Sequence, residues 1–140
     1  MKTLATFLGA VVLAFSLNAC GMLQAKYDAN GKATAAYLQS KNTGSPRTNV
    51  EGLWYSPQWG VVVLNQTPKG ELTGIFQDAY RVQGWVVGKS AYLVLIDDDW
   101  TEYTVELQRQ STEKLTGFYS SSVPFSDKDK TPLELYRIDR

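Results

Sequence analysis

The sequence contains no histidine and a single cysteine, and each scarcity excludes a class of site. Without histidine among its 140 residues, the chain lacks the commonest general base and the commonest metal ligand. Because Cys20 is the only cysteine, no internal disulfide can form, and packing alone must stabilise the fold. The 14 basic and 14 acidic residues balance, so there is no basic surplus for nucleic acid. We expect a protein that is not an enzyme and needs neither metal nor cofactor.

The N-terminus predicts secretion and a lipid anchor. Lys2 precedes an apolar stretch from Leu4 to Leu17 that is too short to span a bilayer. The stretch ends in Leu17-Asn18-Ala19-Cys20, which resembles the lipobox of bacterial lipoproteins. That resemblance implies cleavage after residue 19, acylation of Cys20 and stable attachment to a membrane. Gly21 follows the cysteine, which favours the outer membrane, facing the periplasm, over inner-membrane retention. The alternatives are a plain signal peptide followed by a free cysteine, or a buried structural cysteine.

Composition divides the remaining chain into a spacer and one folded domain. Residues 20–50 are rich in small and polar residues and show no sustained apolar period, which predicts a lipidated N-terminus and a flexible tether. Residues 33–39 could form one or two helical turns, which are marginal without a surface to pack on. Residues 51–140 change to short, alternating apolar runs between turn residues, which predicts a single all-β domain.

The spacing of these runs predicts about eight strands joined by hairpin-length loops. No helical pattern lies between them, so we expect an antiparallel up-and-down meander that closes into a small barrel and leaves no free edge. A two-sheet sandwich is the alternative. The predicted strands cover residues 52–56, 60–66, 71–77, 80–87, 91–96, 101–110, 114–120 and 132–138.

The first and last predicted strands carry a motif of a known barrel superfamily. Gly52-Leu53-Trp54 and Arg137 resemble the calycins, which comprise lipocalin-like and avidin-like barrels. The resemblance implies that Gly52, Trp54 and Arg137 close the barrel, with the guanidinium stacked on the indole.

The avidin-like branch is the more similar in the order of its first three strands. The residues that bind biotin in that family are not present here. Ser56, Gly60 and Phe76 stand where the family has its biotin-binding asparagine, serine and tyrosine. A buried urea would lose most of its hydrogen-bond partners, so we expect no biotin binding.

Aromatic residues suggest one candidate function. The domain holds many of them for its size, and a lumen lined by aromatic side chains could hold a lipid or acyl chain. The candidate lumen residues are Trp54, Phe76, Trp85 and Phe118. The alternative, which we favour, is that these side chains simply fill the barrel.

Two predicted strands are apolar on both faces, which suggests the other candidate function. In Val61-Val62-Val63-Leu64 and in residues 91–96, one face can fill the core while the other must be covered. A second copy, an envelope protein, the preceding segment or the membrane could cover it. The candidate interface residues are Val61, Val63, Tyr92, Val94 and Ile96. We favour an interaction or assembly module, since avidin-like barrels oligomerise through comparable outer surfaces.

Overall fold

The computed structural model describes residues 31–138 and shows a closed barrel of eight antiparallel strands, each paired with its sequence neighbours. The predicted meander and its closure are therefore confirmed, and β1 pairs with β8 through Trp54 opposite Arg137 and Tyr55 opposite Tyr136. The strands are β1 (Gly52–Ser56), β2 (Gly60–Gln66), β3 (Glu71–Phe76), β4 (Tyr80–Val87), β5 (Ser90–Ile96), β6 (Glu102–Ser111), β7 (Lys114–Ser120) and β8 (Thr131–Arg137).

Short turns between the strands set the register. In the β2–β3 turn, the Gly70 amide donates to the carbonyl of Thr67 at 2.9 Å, and Gly70 has a φ of 93° that favours glycine. In the β5–β6 turn, the Asp97 carboxylate accepts the backbone amides of Asp99 at 3.0 Å and Thr101 at 2.8 Å. The side chain of Asp97, the first of three consecutive aspartates, thus organises this hairpin.

The meander gives the barrel two ends that differ in their loops. The β1–β2, β3–β4, β5–β6 and β7–β8 connections lie at one end, which we call the upper end. The β2–β3, β4–β5 and β6–β7 connections lie at the lower end, together with the segment that enters β1. On the circumference, β5 is four strands away from β1 in both directions, so these two strands lie on opposite sides of the barrel.

Alternate residues of every strand point into the barrel and form one core. Trp54 on β1, Val62 and Leu64 on β2, and Phe76 on β3 are fully buried there. Leucine and valine side chains complete the core from the other strands. This period-two pattern is the one that predicted the strands.

The barrel belongs to a compact unit that begins at Ala33. Residues 31–41 form a helix, α1. Between α1 and β1, Arg47 donates its amide to the Gly88 carbonyl at 2.9 Å, and Val50 donates its amide to Oε1 of Gln66 at 2.9 Å. The described part of the predicted tether, residues 33–50, therefore packs on the barrel. Within residues 31–138, no helix has the length and hydropathy needed to cross a membrane.

Candidate functional site

Trp54 and Arg137 form a closure at the lower end of the barrel. The Arg137 guanidinium carbon lies 4.3 Å from the centre of the Trp54 ring. The same guanidinium donates to the carbonyls of Glu51 at 2.7 Å and Thr112 at 2.9 Å. Trp54 donates from Nε1 to the Val50 carbonyl at 2.9 Å. One cation thus joins the start of β1 to the β6–β7 turn, in the arrangement that the calycin resemblance implies.

The candidate lumen residues separate into two groups. Trp54 and Phe76 point inward and are fully buried in the core. Trp85 instead packs outside the barrel against the cluster of Tyr37, Leu38, Val94 and Ile96. The inward positions of β4 are taken by Val82 and Val86. Phe118 is also outside and 37% exposed, because Leu115 and Tyr119 take the inward phase of β7. The prediction that Trp85 and Phe118 line a lumen is therefore corrected.

Trp59 fills the upper end of the barrel. It lies in the β1–β2 turn and is held there by its amide, which donates to Oγ of the buried Ser56 at 3.0 Å. Four aromatic rings surround the indole in edge-to-face geometry, with centroid distances between 5.0 and 5.8 Å. The four rings belong to Phe76, Tyr80, Tyr103 and Tyr119. This cluster occupies the place where a ligand would enter the barrel.

Helix α1 covers the outer face of β5. Tyr37 and Leu38 of the helix are buried against Val94 and Ile96 of the strand. Val94 is fully buried, although its neighbours Leu93 and Leu95 point into the barrel. The candidate interface at Val94 and Ile96 is thus covered by the chain itself. A marginal helix becomes stable when it finds such a surface, which explains why the sequence suggested only a spacer.

Carboxylates of β6 fix the helix to the barrel. Thr34 donates to Glu102, and the Tyr37 hydroxyl donates to Glu106, both at 3.4 Å. Lys41 forms an ion pair with Glu106 at 3.1 Å, and its ammonium lies 5.1 Å from the centre of the Tyr92 ring. Burial, followed by the charge of Glu106, raises the pKa of the Tyr37 hydroxyl. Burial also raises the pKa of Glu102, against the opposing effect of the Thr34 hydrogen bond. The Lys41 side chain thus partly covers Tyr92, the third candidate interface residue of β5.

On the opposite side of the barrel, apolar side chains form an exposed surface that we call the β1 face. It consists of two adjacent rows of outward-facing side chains. The first crosses β8, β1 and β2, and the second crosses β1, β2 and β3 and includes Ile138, which directly follows β8. In the first row, Tyr136 pairs with Tyr55, which pairs with Val61. Their exposed fractions are 36%, 46% and 49%. In the second row, Ile138 (48% exposed) donates its amide to the Leu53 carbonyl, Leu53 pairs with Val63, and Val63 pairs with Ile75.

The β1 face contains two of the predicted interface residues and five that the sequence pattern did not single out. Val61 and Val63 were predicted, whereas Tyr55, Tyr136 and Ile138 were not. The alternation of β1 could have identified Leu53 and Tyr55 from the sequence. Because Trp54 points into the barrel, its two neighbours in the strand must point outward. Large exposed apolar patches on small domains mark interaction sites. The β1 face is therefore the strongest candidate for a functional surface.

Asp129 organises the long β7–β8 loop at the upper end. Its carboxylate accepts hydrogen bonds from the hydroxyls of Ser120, Ser121 (2.9 Å) and Ser122 (2.8 Å). Those from Ser120 and then Ser122 contribute most to lowering the pKa of Asp129. The Ser120 oxygen also accepts the amides of Ser122 at 3.1 Å and Ser126 at 3.3 Å. The loop is thus folded around one carboxylate.

This carboxylate predicts a loss of stability in acid. The pKa of Asp129 is lower in the folded protein than in the unfolded chain, where it is about 4. The ionised carboxylate therefore stabilises the fold at pH values above about 4, and this stabilisation is lost as the pH falls through the pKa of the folded protein. Asp129→Asn removes that titration. We expect the stability difference between wild type and variant, measured by urea unfolding, to be largest near neutral pH and to shrink below about pH 4. A difference that stays constant down to about pH 2 would contradict this role.

The comparisons with known proteins do not assign the chain. No protein-family model, curated protein or solved structure matches it. At the level of architecture, an eight-stranded antiparallel barrel is consistent with the calycin resemblance. The function must therefore be inferred from the surfaces described above.

Proposed function

We propose that the protein is a non-catalytic assembly module of the bacterial envelope that associates with a second copy of itself through the β1 face. The observation that supports this most strongly is the contiguity of the two outward-facing apolar rows. Four of their side chains are exposed, namely Tyr55, Val61, Tyr136 and Ile138, and the other three, Leu53, Val63 and Ile75, are half-buried. Exposed apolar side chains are costly in a free monomer, and their burial favours association. Aromatic residues such as Tyr55 and Tyr136 are typical of the cores of such interfaces.

The charge distribution favours a second copy over a charged partner. None of the seven residues that define the β1 face is charged. Lys114, whose ammonium lies 5.1 Å from the centre of the Tyr136 ring, is ion-paired with Glu134 at 3.9 Å, so the contact need not bury an unpaired charge. Arg81, which pairs with Ile75, borders the face on one side. Glu134, whose carboxylate accepts a hydrogen bond from the Tyr136 hydroxyl, borders it on the other. A two-fold axis parallel to the barrel axis would bring Arg81 of one copy towards Glu134 of the other, as a self-complementary dimer requires.

The proposed location is the periplasmic side of the outer membrane. It is supported by the pattern Leu17-Asn18-Ala19-Cys20, which lies outside the described residues. Acylation of Cys20 would concentrate copies of the protein in one plane. Confinement of this kind raises the effective concentration of one copy near another and promotes weak association.

The structure gives less support to the alternative function, binding of a small apolar ligand in the lumen. Large side chains occupy the interior, and Trp59 with its aromatic neighbours occupies the upper end. The calycin-like closure by Trp54 and Arg137 is compatible with either function. We therefore place the ligand hypothesis second.

Sedimentation velocity of the full chain tests the proposal. Cys20→Ser prevents acylation, and a non-ionic detergent keeps the apolar N-terminal stretch soluble. Because that stretch is present in every variant, only differences between variants report on the β1 face. We expect a dimer, and we expect Val61→Lys to weaken it by at least about 10-fold, because a lysine charge would be buried in the contact.

Gln108→Lys is the matched control. Gln108 is exposed on β6, away from the β1 face, and the same charge there should leave the dimer unchanged. A monomeric parent protein would show that the proposed self-association is wrong. Equal dissociation by both lysine variants would show that the β1 face is not the contact.

A further inference from the structure

A depression of about 260 Å³ at the lower end of the barrel is lined by basic side chains. Three segments that are far apart in the sequence form it: the stretch before β1, the β4–β5 turn and the end of β6 with the following turn. Arg47, Lys89 and Arg109 contribute one positive charge each from these three segments. No acidic side chain is among its described lining residues, which are completed by Thr48, Gln110, Ser111 and Thr112.

The three cations have no acidic partner among residues 31–138. The ion pairs found there involve Lys41, Lys114 and Lys130 instead. Three like charges that line one depression, with no acidic side chain among its described lining residues, raise the local positive potential. An arrangement of this kind is unfavourable for the protein alone and becomes favourable when an anion binds.

The backbone around the depression is held by hydrogen bonds. The Arg47 amide donates to the Gly88 carbonyl, and the Gly88 amide donates to the Ser45 carbonyl, both at 2.9 Å. The Arg109 amide donates to the Lys89 carbonyl at 3.0 Å. The main chains of the three cationic residues are therefore held next to one another by backbone hydrogen bonds.

The Arg109 guanidinium is fixed as well. Its Nε donates to the Ser111 carbonyl at 3.2 Å, and its Nη1 donates to Oγ1 of Thr48. The remaining N–H groups can donate to a ligand, and a fixed planar fork suits the oxygens of a phosphate. Thr48 accepts from Arg109 through its oxygen, which leaves its own hydroxyl hydrogen available to a second acceptor.

We propose that this depression binds a phosphate group. Two guanidinium groups, one ammonium and nearby hydroxyls provide the donors that a phosphate monoester dianion requires. Their three positive charges suit a doubly charged phosphate better than a singly charged carboxylate. The volume is below the roughly 300 Å³ at which drug-sized pockets begin, which suits a small anionic group. The phosphate could belong to a lipid headgroup or to a free soluble anion. This site is separate from the β1 face and does not depend on the proposed assembly.

The test is an NMR titration of the full chain carrying Cys20→Ser in non-ionic detergent. The probes are inorganic phosphate, a short-chain phosphatidic acid, and sodium chloride at matched ionic strength. We expect saturable shifts at the amides of Lys89, Arg109 and Ser111 with both phosphate probes and no saturable shift with chloride. A tighter response to the lipid by about 10-fold or more would identify a headgroup site, and equal responses would identify a site for the free anion.

Variants locate the site. Arg47→Gln and Lys89→Gln change exposed side chains, and each should weaken phosphate binding by about 5- to 10-fold. The control Lys128→Gln removes an exposed lysine of the β7–β8 loop, at the upper end of the barrel and outside the depression, and should leave binding unchanged. The proposal is overturned if phosphate produces no saturable shift, if chloride reproduces the shifts, or if Lys128→Gln weakens binding as much as Lys89→Gln.

Discussion

Replacing Trp59 by alanine should lower the free energy of unfolding by about 3–5 kcal/mol, the range for a large aromatic side chain removed from a core. The loss is large because the indole is buried and contacts four aromatic rings at centroid distances of 5.0 to 5.8 Å. Alanine leaves a void at the upper end, and the surrounding tyrosines lose their edge-to-face partner. Urea unfolding of the full chain measures the effect.

Trp59→Phe is the matched control, since it keeps an aromatic ring in the cluster and removes less volume. We expect it to lose less than half as much stability as Trp59→Ala. A loss below about 1 kcal/mol for the alanine variant would mean that the cluster contributes little, because a typical single substitution already costs about that much. The upper end would then be open to a ligand, and a barrel filled by its own side chains would be the wrong interpretation.

Gly74→Ala should be comparably damaging, although it adds only one carbon. Gly74 lies within β3 at a φ of 149°, where L side chains are strained. A Cβ there would lie well inside contact distance of the Val63 carbonyl oxygen. Because that oxygen belongs to the neighbouring strand, β2 and β3 would have to move apart. We expect a loss of about 3 kcal/mol or more in urea unfolding, from backbone strain combined with steric overlap.

Gly44→Ala provides the comparison for this substitution. A Cβ at Gly44 meets only Cγ1 of Val87, at an ordinary distance of 3.4 Å. The change should therefore alter the stability by less than about 0.5 kcal/mol. If both variants lost the same stability, the effect would come from removing glycine in general and not from the close approach of β2 and β3.

The sequence repeat around Gly74 shows how far local patterns predicted this fold. Leu72-Thr73-Gly74 and Leu115-Thr116-Gly117 each place a glycine within a strand, and a glycine at such a position is typical of a bend or of a close backbone approach. At both positions an added Cβ would overlap the backbone of the neighbouring strand. Alternation and turn residues likewise placed every strand within about one residue of its observed ends.

The direction of side chains was harder to predict where apolar residues are consecutive. Trp85, Val86 and Val87 give no alternation from which to choose the inward phase, and a shift by one residue reverses every side chain. Phe118 and Tyr119 present the same ambiguity on β7. For this reason the aromatic residues assigned to the lumen include two that lie outside the barrel.

Long-range contacts were beyond local reasoning. Helix α1 is stabilised by Val94 and Ile96, which lie more than 50 residues further along the chain. The basic depression likewise combines Arg47, Lys89 and Arg109, none of which is near another in the sequence. Such features depend on which strands become neighbours, and composition alone does not contain that information.

Hydroxyl-radical footprinting of the full chain at increasing protein concentration tests most directly which face is covered. Tyr136 and Phe118 provide an internal comparison, since they are 36% and 37% exposed on different parts of the barrel. We predict that oxidation of Tyr55 and Tyr136 falls as the concentration rises, while oxidation of Phe118 stays constant. Constant oxidation at all three residues, or protection of Phe118 alone, would contradict association through the β1 face.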